Sequence, residues 1–259
     1  MLYDIFRQFL RDFKKAPLIK SLRGGEMLKI SGLQKLTALD YPEKLACTVF
    51  TSGCNLRCPF CHNASLVLRD DGYEVSQDEF FAFLKKRKGI LDGVCITGGE
   101  PLLQNGIEDF IKRIKDLGFL VKLDTNGAFP KKLRSLIEKK LVDYVAMDIK
   151  NCEEKYPLTC GLNKNGEDFF VPFKESIDLL LENRVSYEFR TTIVRELHTI
   201  EDVEKIGLLI SGAENYFLQN FKDSGDLIGE NYSAHDTDTL HKMREKALTF
   251  AKKCEIRGV

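Results

Sequence analysis

With 259 residues, of which 43% are hydrophobic and 30% charged, the chain can build one large core or two small ones, which excludes disorder and fibrous architecture. Its 39 basic and 39 acidic residues cancel, so no net field favours nucleic acid or another polyanionic surface. No run approaches the ~18 uninterrupted apolar residues of a membrane span, and eight cysteines are too sparse for a disulfide scaffold; a cytoplasmic protein with reduced thiols and no secretory leader is expected.

In chain order, Leu2, Ile5, Phe6, Phe9, Leu10 and Phe13 recur at helical spacing among Arg7, Arg11, Lys14 and Lys15, until Gly24-Gly25 breaks the pattern. This predicts an amphipathic helical extension over 1–26, ahead of a domain over 27–259. It reads as a cap on an open barrel end, as a stretch translated upstream of a start at Met27, or as a surface for a partner or membrane. Strands and helices then alternate. The pattern predicts strand Ala46 to Thr51, helix Gln77 to Lys88, strand Gly93 to Thr97, helix Gly106 to Leu117, strand Leu120 to Asp124 and helix Lys131 to Lys140. Strand Asp143 to Asp148, helix Pro172 to Asn183, strand Ser186 to Thr192, helix Ile200 to Ile210, strand Tyr216 to Gln219 and helix Thr237 to Cys254 complete it. Ser76 with Glu79 reads as a capping box, and Gly118 as a helix stop. Unbroken apolar runs such as Val94-Cys95-Ile96 predict a parallel sheet covered by helices rather than a half-exposed antiparallel one. The fold class is α/β, a partial six-stranded (β/α) barrel.

Directly after the first predicted strand, Cys54, Cys58 and Cys61 fall within eight residues as C-x3-C-x2-C, with Gly53 and Pro59 favouring a loop. Three soft thiolates on one loop suit a 4Fe-4S cluster with one iron left open to a small molecule. Structural zinc is the competing reading, but a closed zinc site needs four ligands and no second cysteine pair of that kind follows. Cys47, Cys95, Cys152, Cys160 and Cys254 read as core or incidental residues, and His198, His235 and His241 as loop or surface positions. No dense run supports a second cluster.

Three further motifs end the next three strands: Thr97-Gly98-Gly99-Glu100-Pro101, Asp124-Thr125-Asn126-Gly127 and Met147-Asp148-Ile149-Lys150. Each alone is an ordinary strand-to-helix turn or cap. Their shared place at C-terminal strand ends is where (β/α) folds collect functional groups. Arg190, within the fifth strand, reads either as a carboxylate-binding group or as an ion pair with Glu188 or a neighbour.

The cysteine spacing, with Phe60 before the last cysteine, resembles the radical S-adenosylmethionine (SAM) superfamily. That resemblance implies a TIM-like barrel of the radical SAM type, with one 4Fe-4S cluster per chain held by Cys54, Cys58 and Cys61. It implies SAM bound by Phe60, Cys61, His62, Gly98, Gly99, Glu100, Asp124, Asp148, Ile149, Lys150 and Arg190, with Gly99 at the SAM amino group. No catalytic residue beyond the cluster site is implied. The Asp124 and Met147 motifs resemble glycyl-radical-enzyme activases, in which the two aspartates also help hold a monovalent cation. Pyruvate formate-lyase activases place a ribose-contacting histidine near Phe217-Leu218-Gln219-Asn220; this chain has Gln219 or Asn220 in its stead. The opening Ile30-Ser31-Gly32-Leu33-Gln34-Lys35, Asp40-Tyr41-Pro42 and Cys58-Pro59-Phe60-Cys61-His62-Asn63 most resemble the activating proteins of anaerobic ribonucleoside-triphosphate reductase. The implied partners are a glycyl radical enzyme, an anaerobic ribonucleotide reductase first, and a flavodoxin or ferredoxin electron donor, with no nucleic acid. The alternatives are a pyruvate formate-lyase-type activase, a small-molecule radical SAM enzyme, and a zinc-stabilised binding module without catalysis.

Overall fold

A computed structural model of the chain describes residues 28–68, 75–162 and 169–258, so the predicted extension over 1–26 lies outside the described residues. The described chain opens on an antiparallel pair, β1 (Gly32–Thr37) against β2 (Ala46–Thr51), with Gly32 opposite Phe50. Every later strand runs parallel to the one before and takes the next place in the sheet. They are β3 (Gly93–Gly98), β4 (Leu120–Thr125), β5 (Tyr144–Asp148), β6 (Ser186–Ile193), β7 (Tyr216–Asn220) and β8 (Cys254–Arg257). Stepping one place in one direction at each crossover winds a barrel. The sheet order ends at β1 and β8 without closing, which makes the barrel partial.

The helices are α1 (Ala64–Leu68), α2 (Gln77–Lys86), α3 (Ile107–Asp116), α4 (Pro130–Glu138), α5 (Tyr156–Thr159), α6 (Val171–Leu181), α7 (Ile200–Leu209) and α8 (Thr237–Ala247). The Ser76 hydroxyl accepts from Glu79 N at 3.2 Å while the Glu79 carboxylate accepts from Ser76 N at 3.1 Å, which starts α2. Helix α3 buries Ile107, Phe110, Ile111 and Ile114, one stripe against the sheet. Gly118, at φ +91°, ends its turn in the left-handed region. Val94, Cys95 and Ile96 in β3 and Val145, Ala146 and Met147 in β5 are buried on both faces.

Two strands flank the predicted six. β1 is an edge strand whose Gln34, Lys35 and Leu36 are exposed, so it carries no apolar run. β8 begins on Cys254, the last residue of the last predicted helix, and runs on into residues assigned to no element. Leu240, Met243, Ala247 and Ala251 keep helical spacing and are all buried, but the helix stops at Ala247, and Cys254 pairs with Tyr216 of β7. Among the described residues no helix is long and apolar enough to cross a membrane.

Candidate active site

The cysteine loop follows β2 and is held by its backbone. Gly53, at φ +79°, donates to Leu66 O at 2.8 Å, and Cys61 N donates to Cys58 O at 3.0 Å across the Pro59 turn. The Arg57 guanidinium donates to Cys54 O at 2.6 Å and Leu56 O at 2.7 Å, satisfying carbonyls that the turn leaves unpaired. The turn after β3 is pressed onto this loop: Gly99 N donates to Thr51 O at 2.8 Å and Glu100 N to Gly53 O at 2.9 Å. A Cβ at Gly99 would drive into Gly53 O, and one at Gly98 into Thr51 O. Both glycines are therefore required by the fold of the site itself.

This brings Cys54, Cys58 and Cys61 onto the wall of one cavity of about 230 Å³. Cys54 Sγ accepts from Leu56 N at 3.4 Å and from Asn126 Nδ2 at 3.7 Å, donors that suit a thiolate. Three soft sulfur donors on one loop, with N–H groups aimed at one of them, fit an iron-sulfur cluster.

Opposite the thiols lies a set of charges built on strand alternation. Residues two apart share a face, so Lys122 with Asp124 on β4, and Glu188 with Arg190 on β6, project from the same sides of their strands. Asp148 ends β5 opposite Arg190 in register. Arg190 donates to Asp148 through Nε at 2.8 Å and to Asp124 through Nη1 at 3.2 Å. Lys150 pairs with Asp148 at 3.1 Å, and Lys122 pairs with Asp124. Burial alone would raise the Asp148 carboxyl, but Arg190 and Lys150 outweigh it and hold it below its ordinary range. Burial likewise opposes the Lys150 charge, and Asp148 more than restores it. The two aspartates that the resemblance assigns to a monovalent cation are here paired with Arg190, Lys122 and Lys150.

Of the expected site residues, Phe60, His62, Gly98, Gly99, Asp124, Asp148, Lys150 and Arg190 line the cavity with the three cysteines. Glu100 and Ile149 stand behind its wall, both fully buried. Glu100 ties two turns together, accepting from Leu102 N at 2.9 Å, Thr125 Oγ1 at 2.9 Å and Asn126 N at 2.7 Å. Burial pushes its carboxyl up to about 7 against those bonds. Ile149 N donates to Arg190 O at 2.8 Å. Gln219 lines the cavity, whereas the Asn220 amide donates to His235 O at 3.4 Å.

Three residues that the sequence reading did not assign to the site take part. Lys122 is 2% exposed inside an apolar strand; its spacing of two from Asp124 was the available signal. Asn126 donates to Asn55 Oδ1 at 2.9 Å as well as to Cys54. His198 is fully buried, a correction to its reading as a solvated loop residue. Its Nε2 lies 2.8 Å from Lys150 O and its Nδ1 accepts from Val194 N at 3.1 Å. Burial lowers its pKa to about 4, so the ring is neutral, and the assignment that satisfies both neighbours puts the proton on Nε2, donating to Lys150 O.

The model of the radical SAM superfamily matches residues 48–210, more than half of the chain. The chain belongs to this superfamily, whose members use a 4Fe-4S cluster and SAM. A Methanocaldococcus jannaschii protein named as a glycyl-radical enzyme activating enzyme is 36% identical over 221 residues, covering 83% of this chain and 89% of the relative. The pyruvate formate-lyase-activating enzyme of Clostridium pasteurianum is 26% identical over 239 residues, covering 86% and 95%. Within the superfamily the chain is thus a member of the glycyl-radical-enzyme activating enzymes. The structure of Streptococcus suis SuiB bound to S-adenosylmethionine superposes with a TM-score of 0.61 at 15% identity over 80% of this chain. The chain spans 48% of the length of SuiB, and the likeness is one of fold. Membership of an enzyme family replaces the alternative of a zinc-stabilised binding module.

Proposed function

We propose that this chain installs a glycyl radical on anaerobic ribonucleoside-triphosphate reductase, with Cys54, Cys58 and Cys61 holding the cluster and leaving one iron for the amino and carboxylate groups of SAM. Held by those residues, the cluster would supply the one electron that cleaves SAM to methionine and 5'-deoxyadenosine, with the hydrogen atom drawn from a glycine Cα of the partner, which would keep the glycyl radical. The observation that carries the reading is the meeting of three thiols with Gly98, Gly99, Asp124, Asp148, Lys150 and Arg190 around one cavity.

The chain's own residues bind, orient and exclude water. Lys150 and Arg190 offer fixed donors to the SAM carboxylate, and their aspartate partners keep them charged and aimed. The edge of the Gly98-Gly99 turn, on the cavity wall, would take the amino group. Gln219, on the same wall, would give a ribose hydroxyl a hydrogen-bonding partner. Buried Leu56, Phe60 and Val67 line the same cavity and limit water near a reactive centre. The open barrel leaves a side through which a loop of the partner enters.

The reductase is favoured by the sequence from Ile30 to Lys35, by Asp40-Tyr41-Pro42 and by the Cys58 to Asn63 segment. A pyruvate formate-lyase-type activase is the second reading, favoured by the near full-length match to the Clostridium pasteurianum enzyme. Reduced, cluster-loaded protein is incubated with SAM and each candidate partner, and electron paramagnetic resonance is recorded. A glycyl doublet on the reductase supports the first reading, and a doublet only on a formate-lyase the second. SAM cleavage without a doublet on any partner points to a small-molecule substrate. Cys58→Ala is expected to abolish both cluster uptake and SAM cleavage; retained cleavage would reject the ligand assignment.

A further inference from the structure

The turn after β4 reaches the cysteine loop through Asn126, which is 6% exposed and tied down at every polar group of its side chain. Its backbone N–H donates to the Glu100 carboxylate at 2.7 Å, which fixes where the side chain starts. Its Oδ1 accepts from Ala128 N at 2.9 Å, closing an Asx turn. An oxygen that must face an N–H leaves the NH2 end on the other side, so this contact settles which way the amide points. There Nδ2 carries two hydrogens and meets two acceptors, Asn55 Oδ1 at 2.9 Å and Cys54 Sγ at 3.7 Å. Leu56 N reaches the same sulfur at 3.4 Å. Cys54 Sγ thus receives a backbone donor from its own loop and a side-chain donor from the turn after β4.

We infer that Asn126 is a positioning residue whose side-chain amide donates to the Cys54 sulfur and thereby raises the reduction potential of the cluster that Cys54 holds. This rests on the cluster reading above. One-electron reduction adds negative charge that spreads onto the ligand sulfurs, and the positive end of an N–H dipole aimed at such a sulfur stabilises the more negative state. Burial leaves that dipole little screened. Leu56 N acts in the same sense but stays in place in any side-chain variant, so Asn126 is the donor that substitution can remove. Asn126 also lines the cavity, so its effect on the cluster is to be read without SAM. Serine at this position keeps an acceptor for Ala128 N, while its hydroxyl stops short of where the amide nitrogen stood. Aspartate keeps the shape and the turn but puts an acceptor and a charge in place of the donor.

The test is a potentiometric titration, in the absence of SAM, of cluster-loaded wild type, Asn126→Ser and Asn126→Asp, followed by the electron paramagnetic resonance signal of the reduced cluster. Iron and sulfide content are measured on the same samples. Asn126→Ser is expected to lower the reduced-to-oxidised ratio at a fixed potential about tenfold, which for one electron is a shift of about 59 mV to more negative values. Asn126→Asp is expected to shift further in the same direction, and all three proteins to carry the same iron. An unshifted Asn126→Ser overturns the inference even where Asn126→Asp shifts, because the added charge alone then accounts for the aspartate; the proposed function is left standing. Loss of iron in either variant also overturns it, since Asn126 would then build the cluster site rather than tune it. A wild-type protein that takes up no iron or sulfide overturns the cluster reading itself, and this inference with it.

Discussion

Glu100 and His198 are both buried titratable groups beside the site, and they push stability in opposite directions with pH. The Glu100 carboxyl is raised to about 7 by burial, so between its ordinary 4.5 and 7 the folded chain holds a proton that the unfolded chain has released. Stability from this group therefore falls as pH rises through that window. His198 is lowered from 6.5 to about 4, so between those values the unfolded chain binds the extra proton, and stability rises with pH. The two slopes oppose each other between about pH 4.5 and 6.5. Glu100→Gln is expected to steepen the rise of Tm with pH relative to wild type, and His198→Gln to reverse it into a fall. Thermal unfolding of both variants from pH 4.5 to 7.5 reads this directly, and parallel curves for Glu100→Gln and wild type would show that Glu100 does not titrate in this range. The absolute stability of Glu100→Gln also falls, because one amide oxygen replaces two acceptors that serve three donors.

At the scale of elements, the site is a stack of turns held by close backbone approach, and Gly161 tests whether that stacking carries the cluster loop. Gly118 offers the control. It has φ +91° with nothing near a Cβ, whereas Gly161 has φ +67° with Arg57 O in the way. Gly118→Ala is expected to cost about 1 kcal/mol through backbone strain alone and to leave cluster uptake intact. Gly161→Ala is expected to lose more stability and most of its iron, because α5 must lift from the cysteine loop. Equal iron content in the two variants would sink the idea that α5 clamps that loop. Such turn-on-turn contacts were not legible in the sequence, since glycines far apart in the chain give no sign of what they approach. What was legible had local periodicity or spacing behind it. Six parallel strands showed as strand-length segments alternating with helical ones, some of them unbroken apolar runs, α2 as a capping box, and the three thiols as a short cysteine pattern. β1 was hidden because an exposed edge strand needs no apolar run, and β8 because Ala247 and Ala251 continue the spacing of α8. Lys122 was hidden in the apolar segment Leu120 to Leu123, and His198 because burial through two backbone partners has no sequence signature.

Across the whole molecule, the charges of the site continue to the last strand. Lys122, Asp124, Arg190, Asp148 and Lys150 form one chain, and Glu188 extends it, 3.9 Å from Arg190 and held by the two Arg257 Nη atoms at 3.0 Å each. The Arg257 guanidinium also stacks over Phe217 at 3.4 Å, and the Tyr144 hydroxyl donates to Glu188 at 3.1 Å. This set holds four cations and three carboxylates, a positive surplus that suits an anionic group in the cavity. It also ties β8, at the open edge, to Arg190 at the site. Glu188 is 1% exposed and Arg257 is 38% exposed, so removing the arginine strands a buried carboxylate whose remaining partners are Tyr144 and a distant Arg190. Arg257→Ala is expected to lose about 2 kcal/mol, below the roughly 3–5 kcal/mol of a fully buried pair because water screens the outer partner. Glu188→Gln in the same background is expected to restore part of that loss, since it removes the stranded charge. A freed Glu188 also competes with Asp148 for the Arg190 guanidinium, so Arg257→Ala should weaken SAM binding although Arg257 is absent from the cavity wall. A double-mutant cycle by urea unfolding, with SAM affinity measured calorimetrically on each variant, separates these effects. Additive losses and unchanged SAM affinity would mean that β8 merely closes the sheet edge, with the site indifferent to it.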